Sequence, residues 1–183
     1  MHVHAYVYTL TMQLNRREEQ AMRRIEKVLE NYINSACEFS VYDCWTDGSC
    51  NNLSLKGEGG AAYIVLRDGV EVRRASKGLT NTTNNRAEML AIISAVNWCP
   101  VGVTINVHTD SKYCIGSFMR KGTLKDELKN KDLIRLYRKV SAGKQVIFDW
   151  VKGHNGNTYN EIVDQMANGE YRKVCKNVAI CQK

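Results

Sequence analysis

Residues 61–79, AAYIVLRDGVEVRRASKGL, contain two short runs of strand-forming residues on either side of Arg67-Asp68-Gly69. An Asp-Gly pair between two such runs is a strong signal for a tight β-hairpin. Before the hairpin, residues 39–46 form another strand-like run, which leads into the sequence TDGS at 46–49. The three runs together predict three consecutive antiparallel strands.

The later half of the chain alternates helices with strands. The predicted elements are a helix over about 85–98, a strand over 103–109, a short helix after Asp110, a helix near 130–141, a strand over 145–151 and a helix from about Thr158. The first of these helices is apolar nearly all round and is followed by Pro100, so we expect it to be buried against a sheet and to end there. Alternation of this kind implies parallel pairing. The sequence therefore predicts an α/β fold with a five-stranded mixed sheet, three strands antiparallel and then two parallel, flanked by helices.

The first 38 residues differ in character from the rest. Residues 3–12 resemble a strand, and residues 16–33 form an amphipathic helix with the capping-box spacing of Asn15 and Glu18. Five basic residues gather opposite its apolar stripe: Arg16, Arg17, Arg23, Arg24 and Lys27. The stripe needs a partner, which is either the main domain or a second subunit, and the oligomeric state stays open.

These patterns divide the chain into an N-terminal strand-helix extension (1–38), a main domain (39–175) and a C-terminal tail (176–183). At 183 residues, with 44% hydrophobic and 25% charged residues, the composition is that of a globular protein. There is no apolar run near the roughly 18 residues that a transmembrane helix needs. The polar N-terminus also argues against a signal peptide, so we expect a cytoplasmic protein without a membrane partner.

Seven cysteines are present, an odd number, and none forms a CxxC pair. Reduced thiols are therefore the favoured interpretation, and zinc-finger or zinc-ribbon spacing is absent. Any metal should be held by oxygen ligands instead.

The positive charge is concentrated in one segment. Residues 111–152 contain eleven basic and four acidic residues, a surplus equal to the net charge of +7 for the whole chain. A clustered positive field attracts polyanions, although a solvated helical face gives the same composition. Charge alone does not separate the two interpretations.

Four carboxylates stand at notable places. Asp47 and Asp110 each end a predicted strand, Glu88 lies in the first turn of the buried helix, and Asp164 lies in the last helix. Taken singly, each has a simpler explanation as a turn or capping residue, a response to the helix dipole, or a solvated acid. If they converge, however, their mutual repulsion requires cations, and oxygen ligands select Mg²⁺ or Mn²⁺. Two ions about 3.5 to 4 Å apart would suit hydrolysis of a phosphodiester.

The sequence from about 39 to 173 resembles a type 1 ribonuclease H. The motifs that carry the resemblance are TDGS at Asp47, TTNNRAE ending at Glu88, TDS at Asp110, WVKGHNGN around His154 and VDQMA at Asp164. They occur in the order of that family, and TTNNRAE together with WVKGH is highly specific.

The resemblance implies a ribonuclease H-like fold and an endonuclease that cuts the RNA strand of RNA/DNA hybrids. The four carboxylates would bind two Mg²⁺ ions, with Mn²⁺ as a substitute, and the products would be a 5′-phosphate and a 3′-hydroxyl. His154 would assist proton transfer or product departure. The implied substrate contacts are Gly48, Ser49, Cys50, Thr83, Asn84 and Asn85, to which the basic segment adds Lys112 and Lys152. The Asn-rich turn can cap the buried helix at the same time.

Three departures from the family pattern temper these expectations. The segment between Asp110 and Asn130 is short and lacks tryptophan, residues 51–59 are unusual, and residues 1–38 match no usual start. We therefore expect weaker hybrid binding than in members with a full basic protrusion. The alternatives are a non-catalytic hybrid-binding module, which the complete acidic set disfavours, and a nuclease or strand-transfer enzyme acting on DNA, which TTNNRAE disfavours.

Overall fold

The computed structural model describes residues 16–38, 40–50, 57–153 and 156–180. The predicted strand at 3–12, the predicted capping residue Asn15 and the candidate His154 lie outside these ranges. The chain divides into two compact units, one up to Phe39 and the other from Ser40 onward.

The first unit contains one described helix, α1 (Arg16–Glu38). It continues five residues beyond the predicted end at residue 33. The reason is visible in the sequence, because residues 34–38 include neither glycine nor proline to stop a helix.

The second unit carries five strands and four helices among its described residues. In chain order these are β1 (Val41–Cys50), β2 (Gly59–Arg67), β3 (Val70–Leu79), α2 (Asn84–Trp98), β4 (Thr104–Thr109), α3 (Lys112–Phe118), α4 (Lys131–Val140), β5 (Gln145–Trp150) and α5 (Thr158–Ile180). Each predicted element of this part of the chain is present. The last helix runs through Ile180, so residues 176–180 of the expected tail are helical.

The strands form one mixed sheet in the order β3-β2-β1-β4-β5. β1, β2 and β3 are antiparallel neighbours, whereas β1, β4 and β5 run parallel. The predicted fold class, three antiparallel strands followed by two parallel ones with flanking helices, is confirmed.

One boundary in this sheet was predicted wrongly. We expected the first strand to end at Thr46, but β1 continues to Cys50. Its parallel pairing with β4 stops at Trp45 opposite His108, while its antiparallel pairing with β2 continues to Cys50 opposite Gly59. Asp47 therefore lies inside β1, just past the point where β1 and β4 separate.

The hairpin between β2 and β3 turns at Asp68 and Gly69, as predicted. Their φ angles are 51° and 81°, both in the left-handed region that a two-residue hairpin turn of this type requires. The turn fixes the register that sets Ala62 and Ile64 on one face of the sheet.

Helices cover both faces of the sheet. On one face α5 packs on β2 through a core of Ala62, Ile64, Leu66, Val163 and Ala167. On the other lies α2, seven of whose residues are buried: Ala87, Met89, Ala91, Ile92, Ile93, Ala95 and Val96. The prediction that this helix is buried against the sheet is confirmed. The sheet is thus a rigid platform between two buried helices.

Two further predictions concern cysteines and membranes. Cys44, Cys50, Cys99, Cys114 and Cys175 are free thiols, and the sulfur atoms of the buried pair Cys44 and Cys99 are 3.7 Å apart. Across the ranges given above, no helix is both long and apolar enough to cross a bilayer.

Candidate active site

The candidate site is built on the C-terminal end of β1. Side chains alternate along this strand, so Asp47 points to the same face as its partner Ala62, the face covered by α5. Gly48 points to the opposite face, toward α2. Its neighbours Ser49 and Cys50 complete the strand. Two consecutive residues of β1 therefore face the two helices, Asp47 toward α5 and Gly48 toward α2.

Glu88 is brought to β1 by a close approach of the two backbones. A Cβ atom at Gly48 would lie 2.1 Å from the backbone nitrogen of Glu88, far inside contact distance. The N-terminus of α2 is fixed at this point by Thr83, whose hydroxyl accepts a hydrogen bond from the backbone N–H of Arg86 at 3.4 Å. The predicted capping role of the TTNN turn thus belongs to Thr83.

Asp110 directly follows β4, as predicted. On one side its backbone carbonyl accepts a hydrogen bond from the indole N–H of Trp150, at 3.0 Å. On another side the loop after β5 passes so close that a Cβ atom at Gly153 would lie 2.6 Å from Oδ2 of Asp110. The ends of the neighbouring parallel strands therefore enclose this carboxylate, which is where ligands gather in open α/β sheets.

Asp164 lies in the second turn of α5, next to the buried core residue Val163. Its Oδ1 accepts a hydrogen bond from the side-chain amide of Asn168 at 2.8 Å. The helix packs on β1 and β2, and this turns Asp164 toward the carboxylate of Asp47. It is not a solvated helical acid.

The four carboxylates interact electrostatically. Burial, followed by the charges of Asp110 and Asp164 and then that of Glu88, raises the pKa of Asp47 to about 8. Burial also raises the pKa of Glu88, with a further contribution from Asp110, although hydrogen bonds from Ser111, Cys114 and Asn84 oppose the shift. The structure thus brings together Asp47, Glu88, Asp110 and Asp164, the four acids selected from the sequence.

This donor set fits a hard divalent cation. Carboxylates held close together gain most from a bound positive charge, and Mg²⁺ prefers such ligands. Within the described ranges, no three His, Cys, Asp or Glu side chains form a ready-made metal cage. Mg²⁺ does not need one, since it usually keeps several waters and binds one or two carboxylates together with phosphate oxygens of the substrate.

Comparison with known proteins agrees with this geometry. The family model for RNase H matches residues 40–172. The chain belongs to the RNase H family. Ribonuclease H of Bordetella avium is 33% identical over 147 residues, which cover 75% of this chain and 94% of that protein. Ribonuclease H of Pseudoalteromonas translucida and ribonuclease HI of Vibrio parahaemolyticus are each 38% identical over 135 residues, 68% of this chain and 86% of each relative. The predicted assignment to the ribonuclease H hydrolases is confirmed.

Two asparagines hold the carboxylates of this RNase H domain in place. Asn84 donates to Oε1 of Glu88 at 2.7 Å, and its own carbonyl accepts from the backbone N–H of Cys50 at 3.2 Å. Asn168 donates to Asp164, and its carbonyl accepts from the hydroxyl of Ser49 at 2.6 Å. Each asparagine therefore ties a carboxylate on a helix to the end of β1.

Asn168 was missed in the sequence. The signal that could have revealed it is its spacing, because residue i+4 on a helix lies on the same face as residue i. An amide one turn after Asp164 is the expected partner for a carboxylate that must keep one orientation.

The basic segment is partly used for internal contacts. Arg138 donates to the carbonyl oxygens of Arg120 and Gly122, at 2.8 and 2.9 Å, and so holds that loop against α4. Lys131 pairs with Asp126. A polar cleft remains, lined by Arg120, Lys121, Thr123, Lys125, Glu127 and Leu128. Its cations are exposed to a polyanion that approaches this cleft.

The other predicted substrate residues lie around the carboxylates. Asn85 is exposed in the first turn of α2, and Lys112 and Lys152 are exposed on either side of the β4–β5 end. Ser49 and Cys50 point their polar groups at Asn168 and at Asn84 and Thr82, respectively.

Proposed function

We propose that the protein is an endonuclease that hydrolyses the RNA strand of RNA/DNA hybrids with two divalent cations, leaving a 5′-phosphate and a 3′-hydroxyl. The observation that carries the proposal is the convergence onto one partly buried spot of four carboxylates, those of Asp47 in β1, Glu88 in α2, Asp110 directly after β4 and Asp164 in α5. Four carboxylates that repel one another suit a site where cations bind next to a phosphodiester. Membership of the RNase H family supplies the substrate class.

The four carboxylates are the residues that would hold the ions. Magnesium bound there would supply positive charge to the phosphodiester at the point of cleavage, and Mn²⁺ would serve in its place. The protein's own part is to keep the oxygens oriented, through the amides of Asn84 and Asn168. Partners of this kind, which orient the ligands of a metal, typically change affinity or activity by about 10-fold to 100-fold when removed.

Substrate binding is assigned to the rim of this site. The end of β1 (Gly48, Ser49 and Cys50) and the start of α2 (Thr83, Asn84 and Asn85) present backbone and amide groups suited to sugars and base edges. Lys112 and Lys152, with the cleft at Lys121 and Lys125, supply charge for the phosphates. His154, which lies between β5 and α5 in the sequence, is proposed to assist proton transfer or product departure.

A non-catalytic hybrid-binding module is the alternative. It is disfavoured because four mutually repelling carboxylates next to the phosphate would weaken binding rather than help it. The proposal also includes a catalytic domain at 39–175, an appended segment at 1–38 and a cytoplasmic location, which the odd cysteine number without CxxC pairs supports. Cell fractionation tests the location.

The deciding experiment is cleavage of a duplex with an end-labelled RNA strand, in Mg²⁺, Mn²⁺ or chelator, beside matched RNA/RNA and DNA/DNA duplexes. We expect metal-dependent cutting of the hybrid alone. The end chemistry is read by polymerase extension of the product, which needs a 3′-hydroxyl. Asp47→Asn should abolish cleavage and still bind hybrid. Binding without cleavage by the unsubstituted protein would favour the non-catalytic module, and cutting of DNA/DNA would favour a DNA nuclease.

A further inference from the structure

Trp150 is a large side chain at the edge of the candidate site that the carboxylate chemistry does not use. It is the last residue of β5, paired with Thr109 of β4, and its side chain is 45% exposed. Its indole N–H donates to the backbone carbonyl of Asp110 at 3.0 Å. The hydrogen bond fixes the ring beside a carboxylate of the site.

A cation lies over one face of the Trp150 ring. The Nζ atom of Lys112 lies 4.2 Å from the centroid of the Trp150 ring, well within the range of a cation–π interaction. Lys112 is exposed, and in the described part of the chain it forms no salt bridge. The indole is the contact that the structure gives its ammonium group.

Lys112 lies where a positive charge is unfavourable in the free protein. It is the first residue of α3, and the N-terminus of a helix favours anions rather than cations. A lysine at this place contributes little to the helix, so its contribution must lie elsewhere. An anion that approaches Asp110 from solvent meets this ammonium.

The contact with the ring matters because four carboxylates lie near the ammonium of Lys112. Asp110 is only two residues before Lys112, and an unrestrained ammonium would be drawn toward that carboxylate and the three beside it. An ammonium held over the indole instead stays at the exposed rim. There the ammonium can contact a phosphate oxygen, and it does not compete with cations for the carboxylates.

We propose that Trp150 is a positioning residue, which holds the ammonium of Lys112 over its ring as a ready contact for a phosphate of the nucleic-acid substrate beside Asp110. The inference rests on the proposed function, because the anion it invokes is the backbone of the hybrid. Lys112 is the residue that touches substrate, and Trp150 acts through it.

A double-mutant cycle tests the assignment. Affinity for an RNA/DNA hybrid is measured by fluorescence anisotropy in chelator at several salt concentrations, and kcat and KM are measured in Mg²⁺. Lys112→Met should raise the hybrid Kd about threefold to tenfold and reduce the slope of log K against log salt by about one, as expected for one lost phosphate contact. Trp150→Leu should raise Kd about twofold to fivefold, in line with the loss of one exposed cation–π contact. The double variant should match Lys112→Met.

The conservative variant separates the ring from the hydrogen bond. Trp150→Phe keeps an aromatic face but has no N–H, so its Kd should stay within about twofold of the unsubstituted protein. The matched control is Trp98→Leu, since Trp98 is also exposed, at 39%, and lies at the end of α2 away from any cation–π contact in the described residues. It should leave Kd unchanged.

Several outcomes overturn the proposal. Additive effects of Trp150→Leu and Lys112→Met would show that Trp150 does not act through the lysine, and an equal loss in Trp150→Phe would assign the effect to the hydrogen bond. If Trp150→Leu does not fold, fluorotryptophan incorporation weakens the ring's attraction for cations without changing its size. Hybrid affinity should then fall in the protein with Lys112 and stay unchanged in Lys112→Met. Failure of the unsubstituted protein to bind or cut hybrid overturns the proposed function instead.

Discussion

Gly48 and Glu88 are in backbone contact: a methyl group on Gly48 would lie 2.1 Å from the nitrogen of Glu88 and 2.4 Å from the carbonyl carbon of Ala87. The contact places the first carboxylate of a helix directly behind the strand that carries Asp47. The close approach is possible because residue 48 has no side chain to keep the N-terminus of α2 away from β1.

Gly48→Ala should therefore separate α2 from β1. We expect a loss of about 3 kcal/mol or more in the free energy of unfolding, since backbone atoms cannot rotate away as a side chain can. Cleavage should fall by about 100-fold or more, because a displacement near 1 Å in a catalytic group has that effect. Urea unfolding and cleavage rates measure the two effects.

The matched control for that change is Gly116→Ala. Gly116 lies inside α3, and a Cβ atom there would meet no other atom within 4 Å. Alanine should stabilise this helix slightly, by about 0.5 to 1 kcal/mol, and leave cleavage intact. Equal losses in the two variants would contradict the close approach as the cause.

Asn168→Ala should reduce kcat by about 10-fold to 100-fold, because it removes the amide that orients Asp164. Hybrid affinity in chelator should not change. Asn168→Asp should be at least as harmful, since it sets a new negative charge beside Asp164. Gln165→Ala, at an exposed position of the same helix, is the control. A wild-type kcat for Asn168→Ala would remove the orienting role.

Asp47 should make the metal-free protein less stable as the pH rises. Its pKa in the folded state is raised from 3.8 to about 8. Between these values the folded protein retains a proton that the unfolded chain has released, so stability falls with increasing pH and levels off above about 8. Asp47→Asn removes this dependence and should be more stable by about 1 to 3 kcal/mol at pH 9, with little difference near pH 4.

Urea unfolding in chelator across that range measures the dependence. Asp126→Asn is the control, because the hydrogen bond and charge of Lys131 lower the pKa of Asp126 and the sign of any effect is reversed. Parallel pH profiles for the unsubstituted protein and Asp47→Asn would argue against the convergence of the four acids.

The cleft of the basic segment should contribute affinity but not chemistry. Lys121→Gln and Lys125→Gln should each weaken hybrid binding and reduce the salt slope by about one, with kcat at saturating substrate unchanged. Lys77→Gln, an exposed change on β3 outside this segment, should alter neither quantity. Arg138→Gln should also weaken binding, because Arg138 holds the loop at Arg120 and Gly122.

Deletion of residues 1–38 tests whether the basic stripe of α1 compensates for the short protrusion. If Arg16, Arg17, Arg23, Arg24 and Lys27 contact hybrid, the truncated protein should show a raised KM and an unchanged kcat. An unchanged KM in a folded truncation assigns the stripe to solvent. Circular dichroism and thermal unfolding verify that the truncated protein is folded.

Local patterns in the sequence specify most of the fold. The Asp68-Gly69 pair specified the hairpin, and the apolar composition of residues 85–98 specified a buried helix, because both signals depend on a few neighbouring residues. The predicted end of the first strand at Thr46 was wrong because this boundary does not depend on neighbouring residues alone. Whether a strand continues depends on its partner, and β2 pairs with residues 47–50 after β4 has ended.

The sequence by itself determined the chemistry on offer: four carboxylates in family order, a basic segment, and no cysteine or histidine set to compete for a metal. Only the tertiary structure decided how these groups meet. The contact of Gly48 with Glu88, the bridges of Asn84 and Asn168 to β1, and the placement of Lys112 over Trp150 all join residues from separate elements. Such contacts depend on how helices pack on a sheet, and packing is set by the whole core rather than by any local run of residues.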